Sequence, residues 1–471
     1  MSPDLLKNLV VSVRAAIEVP ARMLVPPQGH SALGYLLDLG GLLGVAALVA
    51  AIGIMHQRLP ARGAAALRAI CGLVAILLVG WLVRHPGVSF DELCRRWDHL
   101  ALAGLSGIAL QSAPPFVRKL GLTVLSLVVV RLYTSWAAVL GVGGACVLGT
   151  LLLYGPLRDR PGLLAAAQAA LLLAAYVWAL EIRAVQGPYA GLRVQGLLAF
   201  AGLRQISFLV EARRARRPLI DYALYLTFYP GAFGLFGGPE VFAEFSRRNL
   251  VRAAAPDHRR ALRRIARGAV QMWIALSIPL SVDQVLTAGG PLTAWPVAIA
   301  LFLRTAVGLM GAWDLIDGTA LFYGVQLRAN FRGLVGCQNP SELWWAWRGC
   351  LTNWLVQHVY APLGARRHAT RNITAAFAVS FLWHAAGVPF LSADFALLQL
   401  LPVALWAAVN GAGVLLHVDL PPMPDWGWPG RLLRTVAMWA LGALTPILLH
   451  FQGPAFARFP EVFPVLLGIG R

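Results

Sequence analysis

Three places in this sequence set polar side chains among apolar ones, where they are costly to keep and so are candidates for function. In Ser380-Phe381-Leu382-Trp383-His384-Ala385-Ala386-Gly387, His384 follows Trp383 deep in an apolar stretch. A neutral imidazole in a dry site can act as a general base, because its pKa lies near working pH. A hydrogen-bonded core histidine is the plain alternative. Residues 343–364 are rich in tryptophan and carry Arg348, Asn353, Gln357, His358 and Tyr360. The tryptophans at 344, 345, 347 and 354 suit an interfacial belt as well as a substrate wall. Asp314 and Asp317 are three residues apart and share a helix face. They would pair with Arg304 or Arg328 to hold helices together, or relay protons as in a transporter. His99, His258 and His368 sit beside charged residues and read as exposed; His450 sits at a span end.

The elements that must position these groups follow from composition. Of 471 residues, 58% are hydrophobic and 13% charged, with a mean hydropathy of +0.66. Soluble domains are about 45–50% apolar and about 25% charged, so a soluble globular chain and a disordered one are both excluded. A membrane span needs about 20 mostly apolar residues. Apolar stretches run at 32–55, 64–83, 100–112, 120–134, 136–154, 162–180, 192–210, 268–286, 294–313, 373–390, 396–417 and 434–451, with interrupted ones at 219–240 and 311–327. The expected fold is an all-α polytopic membrane protein with about 11 transmembrane helices plus re-entrant and interfacial helices. Residues 1–30 read as a helix lying on the membrane, not a cleaved signal. Pro114-Pro115 is the best boundary, separating an N-terminal part (1–115) from a core (116–471). The proline-rich stretch 418–430 reads as a loop. No soluble domain longer than about 40 residues intervenes, so any chemistry must be built from the helices and their short loops.

The net charge is +19, and all but Lys7 and Lys119 of the 40 basic residues are arginine. A nucleic-acid partner is not expected, since no basic patch interleaves with a recognisable nucleic-acid motif. Basic residues in a multi-pass chain crowd the cytoplasmic loops. Arginines at 213, 214, 216 and 217 precede the segment 221–240, and eight more between 247 and 267 follow it. If both clusters are cytoplasmic, the segment cannot cross once. Its Pro230, Gly231, Gly234, Gly237, Gly238 and Pro239 break a straight helix, which points to a re-entrant element lining a site. The five cysteines are scattered, with neither zinc-ligand nor disulfide spacing.

Four stretches in order make the chain resemble the membrane-bound O-acyltransferase (MBOAT) family, in its bacterial alginate-O-acetylation and D-alanyl-lipoteichoic-acid transfer branch. They are residues 202–240, with the Tyr-Leu-Thr-Phe-Tyr-Pro run and Gly238-Pro239; Asp317 through Asn330-Phe331; 343–364, closing in Tyr360-Ala361-Pro362-Leu363-Gly364; and Ser380 to Gly387 around Trp383-His384. The resemblance covers roughly 120–460. It implies an acyltransferase with His384 as the catalytic histidine. The second polar position of the family, usually His or Asn, falls on Arg348 directly after Trp347. A guanidinium stays protonated and cannot be a base, but it could bind a donor phosphate or stabilise an oxyanion. That departure leaves one-histidine catalysis, an altered acceptor or a degenerate enzyme.

The resemblance further implies substrate-binding positions at Trp347, Asn353, Trp354, His358, Tyr360, Trp383, Asp317, Asn330 and Tyr229. It implies no bound cofactor, an acyl-CoA (acetyl-CoA) or acyl-carrier thioester as donor, and a hydroxyl of an exported glycan or envelope polymer as acceptor. The partners implied are membrane lipid, the donor and a periplasmic acyltransferase, at the inner (cytoplasmic) membrane. A lipid or small secreted acceptor, a transporter and a non-catalytic scaffold are the competing classes.

Overall fold

In hydrocarbon every backbone N–H and C=O must find its partner within the chain, and the apolar segments meet this demand as helices. The computed structural model describes residues 32–84, 97–133, 201–211, 218–228, 238–251, 256–390, 395–419, 427–451 and 453–467, with isolated positions between 143 and 181. Its helices are α1 Ala32–Arg58, α2 Ala61–Arg84, α3 Trp97–Leu110, α4 Pro115–Tyr133, α5 Leu219–Thr227, α6 Phe242–Ser246, α7 His258–Ser277, α8 Val282–Leu286, α9 Pro291–Phe322, α10 Pro340–Ala346, α11 Gly349–Leu355, α12 Ala369–Ala385, α13 Leu401–Asp419, α14 Gly427–His450 and α15 Val462–Leu467, and the described residues contain no strand. Among the described residues, five segments are long and apolar enough to cross a membrane: Gly40–Arg58, Ala61–Leu82, Pro291–Phe322, Leu397–Val418 and Gly427–His450. Ile70, Leu73, Ile76 and Leu77 on α2 point outward, as lipid contact requires. The chain is an all-α, multi-pass membrane protein. The interfacial helix expected at 1–30 and the spans expected at 136–154 and 162–180 fall wholly or mostly outside the described residues.

The backbone of the bundle is the α7–α9 pair. A Cβ on Gly268 would lie 2.7 Å from the Gly311 carbonyl, and one on Gly318 3.0 Å from that of Ala261. The two helices thus touch backbone to backbone, the close approach that small residues permit in membranes. Here the structure corrects several expectations. The stretches 294–313 and 311–327 merge into the single 32-residue α9. Asp314 and Asp317 do not interrupt it, because arginines of α7 neutralise them. The stretch 268–286 is not one helix: 268–277 is the end of α7, which begins ten residues earlier in arginine-rich sequence, and 282–286 is α8. Asp257 caps the start of α7, accepting from the Arg260 N–H at 3.0 Å, and α7 ends before Pro279. Its apolar face buries Ala261, Ile265, Ala269 and Met272 while the arginines lie off that face. Residues 427–430 of the expected loop already belong to α14, where Pro429 sits in the first turn and no intrahelical N–H is lost. His258 and His99 are buried, not exposed: the His258 ring packs 5.8 Å from Phe322 and against Gly53, and α3 lies between α1 and α2.

The segment 221–240 is described at its two ends. Its entry is the nine-residue α5, too short to cross; its exit is Gly238–Pro239–Glu240. Both are held by Arg204, fully buried on the helical segment 201–211. Its guanidinium donates to the Tyr225 carbonyl at 2.5 Å and to the Gly238 carbonyl at 3.2 Å. The Tyr225 hydroxyl donates to the Glu240 carbonyl at 2.5 Å, closing the clamp. Entry and exit therefore lie side by side.

Candidate active site

His384 stands in the last turn of α12. Its Nδ1 lies 2.8 Å from the Ser380 carbonyl. A carbonyl only accepts, so Nδ1 carries the proton and Nε2 keeps its lone pair in the neutral ring. The ring sits 4.4 Å from Trp406 of α13, which is 2% exposed. Trp406 is fixed in turn: its indole N–H donates to Thr445 Oγ1 at 3.3 Å, and its carbonyl accepts from Asn410 at 2.8 Å. Trp344 packs edge-on to Trp406 at 5.6 Å and to Phe377 at 4.8 Å. His384 is thus a half-buried imidazole, oriented by its own helix and backed by indoles.

Arg348 occupies the break between α10 and α11, with φ 54° and ψ 51°. A left-handed conformation is unfavourable for a residue with a Cβ and persists only where its surroundings dictate it. Asn330 does so. Its carbonyl accepts from Gly349 N–H at 2.6 Å and its side-chain oxygen from Cys350 N–H at 3.2 Å. On the other side Arg332 N–H donates to the Ala346 carbonyl at 3.1 Å. Gly349 is required as well, because a Cβ there would meet the Ala329 carbonyl at 3.0 Å. Trp347 is stacked on Phe302 at 6.3 Å and met edge-on by Phe331 at 6.0 Å. Held this way, Arg348 lies within electrostatic range of His384.

Beneath the break opens a cavity of about 770 Å³. Arg248, Arg260, Arg264, Arg328 and Arg332 line it, against only Asp317 and Glu342, and Ala346 and Gly349 lie on its wall beside Arg348. Burial draws the Arg248 pKa below the ordinary arginine value, with the Arg328 charge adding to the effect. Burial, and then the Glu342 carboxylate, push the Cys337 thiol on the same wall up to about 11. Such a cavity attracts anions. The neighbouring space between Phe302, Trp347, Trp406 and Thr445 is tight, at about 10 Å³.

The sequence-derived positions divide accordingly. Trp347, Arg348, Asn330 and His384 gather around the break. Asp317 faces the arginine cavity, paired with Arg264 at 3.1 Å. Asp314 pairs with Arg264 at 2.7 Å and with Arg267. The expected partners Arg304 and Arg328 are engaged elsewhere: Arg304 with the Ala275 and Leu280 carbonyls, Arg328 with Glu244 at 2.5 Å. Asn353 donates to Glu244 at 3.3 Å, and Trp354 to the Leu203 carbonyl at 2.9 Å. His358 packs 4.9 Å from Trp354 in the π-helical turn that ends at Tyr360. Trp383 is half-buried on α12. Tyr229 lies outside the described residues. Sequence reasoning missed Ser380, Trp406, Arg204 and the convergence of the cavity arginines. Only Ser380, four residues before His384, left a readable signal.

Residues 152–401 match the profile of MBOAT, the membrane-bound O-acyltransferase family. The chain is similar to a protein named as the alginate O-acetylase AlgI in Pseudomonas fluorescens, 26% identical over 207 residues that cover 41% of each chain. It is similar to one of the same name in Azotobacter vinelandii, 25% identical over 245 residues, covering 48% of this chain and 45% of that one. A peptidoglycan O-acetyltransferase of Helicobacter pylori is 24% identical over 227 residues, covering 44% of this chain and 41% of that one. The chain thus spans less than half the length of these relatives. The matched residues include α10 to α12, with Arg348 and His384. On this match the chain belongs to the membrane-bound O-acyltransferase family.

Proposed function

We propose that this protein is a membrane O-acyltransferase that moves an acyl group, acetyl by analogy with its relatives, from a cytoplasmic thioester to a hydroxyl of an exported glycan. The observation that carries the reading is the His384 tautomer: Nδ1–H is committed to Ser380, so Nε2 is the base. Nε2 removes the proton of the acceptor hydroxyl as its oxygen attacks the thioester carbonyl. The tetrahedral intermediate then expels the thiolate, which takes the proton back from the imidazolium. A positioned base of this kind supplies about 10²–10⁴-fold.

The arginine cavity supports entry of the donor from the same face. On this reading the membrane is the inner, cytoplasmic one, and the face that carries the α7 arginines is its cytoplasmic side, as the positive-inside rule asks. Acetyl-CoA carries phosphates that suit the guanidiniums of Arg260 and Arg332, which have no ion pair among the described residues, and an acyl-carrier thioester brings one phosphate. Arg348 supplies a fixed positive charge between cavity and base, holding the donor and not moving protons. Membrane lipid surrounds the bundle, and a periplasmic acyltransferase that accepts the group is a further partner on this reading. Arg348 also favours a second reading, a non-catalytic scaffold. Purified protein in nanodiscs, given labelled acetyl-CoA and a glycan acceptor, separates the two. Label transfer from the arginine-rich face is expected; neither transfer nor thioester loss would favour the scaffold.

A further inference from the structure

Two polar groups beside His384 have no work within the described fold. Ser380 is 2% exposed, and its hydroxyl has no hydrogen-bond partner among the described residues. A helical serine usually returns its hydroxyl to the carbonyl four residues back, as Thr374 does to Thr370 at 2.9 Å. Ser380 does not. The indole N–H of Trp344 is likewise buried and without a partner among the described residues. The neighbouring indole of Trp406, by contrast, is satisfied by Thr445. Native structures rarely leave such groups unpaired.

Their placement is informative. Phe377, Ser380 and His384 follow one another at three- and four-residue spacing, so they form one stripe of α12. Phe377 meets Trp344, and His384 meets Trp406, which itself meets Trp344. Ser380 therefore lies on the helix between the two ring contacts that bring Trp344 and the base together. Other unpaired groups, such as the ring nitrogens of His258, lie apart from this stripe.

We propose that Ser380 Oγ and Trp344 Nε1 hold the carbonyl oxygen of the acyl donor beside His384. The chemistry selects that atom. An indole N–H can only donate, so its partner must be an oxygen lone pair, and a serine hydroxyl can donate to the same oxygen. As the acceptor oxygen adds to the carbonyl, the C=O electron pair moves onto this oxygen. Donors aimed there strengthen as the charge develops. Arg348 then serves the donor's anionic part and the long-range field, while the two neutral donors meet the reacting oxygen. This inference rests on the acyl-transfer reading above.

The test uses the full-length protein in nanodiscs with labelled acetyl-CoA, and the variants Ser380→Ala and Trp344→Phe, which keep the packing and delete one donor each. Each should lower kcat about tenfold or more with little change in donor KM. The melting temperature should stay level or rise, because an unpaired buried group has been removed. The double variant should fall by less than the product of the two, since both donors serve one atom. A kcat within about twofold of wild type in both variants would overturn the proposal and leave the two groups to water. Should wild type itself transfer nothing, the acyl-transfer reading fails separately, and binding decides. Wild type should prefer acetonyl-CoA, which keeps the carbonyl, over propyl-CoA, which lacks it, and the double variant should lose that preference. Equal affinity of wild type for both would overturn the proposal.

Discussion

The α7–α9 interface and the His384 neighbourhood both place polar groups at membrane depth, and they treat them in opposite ways. At α7–α9, each carboxylate has a guanidinium: Asp314 meets Arg264 and Arg267, and Asp317 meets Arg264. The backbones touch through Gly268, Gly311 and Gly318, and a Cβ at any of the three would meet the opposite helix. Around His384 the walls are aromatic, one imidazole nitrogen keeps its lone pair, and Ser380 and Trp344 keep capacity in reserve. Saturated polar groups hold helices together, because a charge with its partner in place offers nothing to a ligand. Groups held in position but not satisfied are where a substrate finds its contacts. The same rule divides the arginines that line the cavity: Arg248, Arg264 and Arg328 are held by carboxylates, while Arg260 and Arg332 have no ion pair among the described residues.

Removing one side of the saturated region should have the largest effect on the fold. Asp314→Ala leaves Arg267 without its carboxylate and Arg264 with Asp317 alone, and should cost about 2–3 kcal/mol, less than a wholly buried pair because Arg267 is more than half exposed. Thermal unfolding in detergent should show the loss, with turnover per folded molecule retained. An unchanged melting temperature would break the contrast from the structural side. Next is Arg348→Ala, which should raise donor KM about tenfold, or about 1.4 kcal/mol, and leave the melting temperature near wild type. An unchanged KM would make Arg348 a structural residue. The smallest effect concerns Cys337 on the cavity wall. With its thiol pushed up to about 11, it stays neutral at pH 7 to 8. Its alkylation, in a variant keeping no other cysteine, should rise about tenfold per pH unit up to that value and slow when acetyl-CoA occupies the cavity.

Much of this contrast was legible beforehand. The membrane class followed from composition, and His384 from a polar residue in an apolar run beside Trp383. The break at Arg348 was legible only as an odd residue after Trp347. Its left-handed backbone depends on Asn330, eighteen residues away, and on the tolerance of Gly349, which no local pattern encodes. The fate of Asp314 and Asp317 was misjudged for the same reason. Arg304 and Arg328 are nearest in sequence, yet the bundle brings Arg264 and Arg267 across from α7. Trp406 lay hidden because an indole in an apolar span looks like any other core residue. Ser380 was written into the motif beside His384, but a serine in a helix ordinarily bonds its own backbone, and only the structure shows that this one does not.

The contrast comes to a point at His384. The deciding measurement is acetyl transfer per folded molecule for His384→Ala beside its melting temperature, in nanodiscs with labelled acetyl-CoA. The account predicts a loss of at least about 10²-fold with the melting temperature unchanged or raised. Transfer at the wild-type rate, or inactivity that merely tracks unfolding, would contradict it.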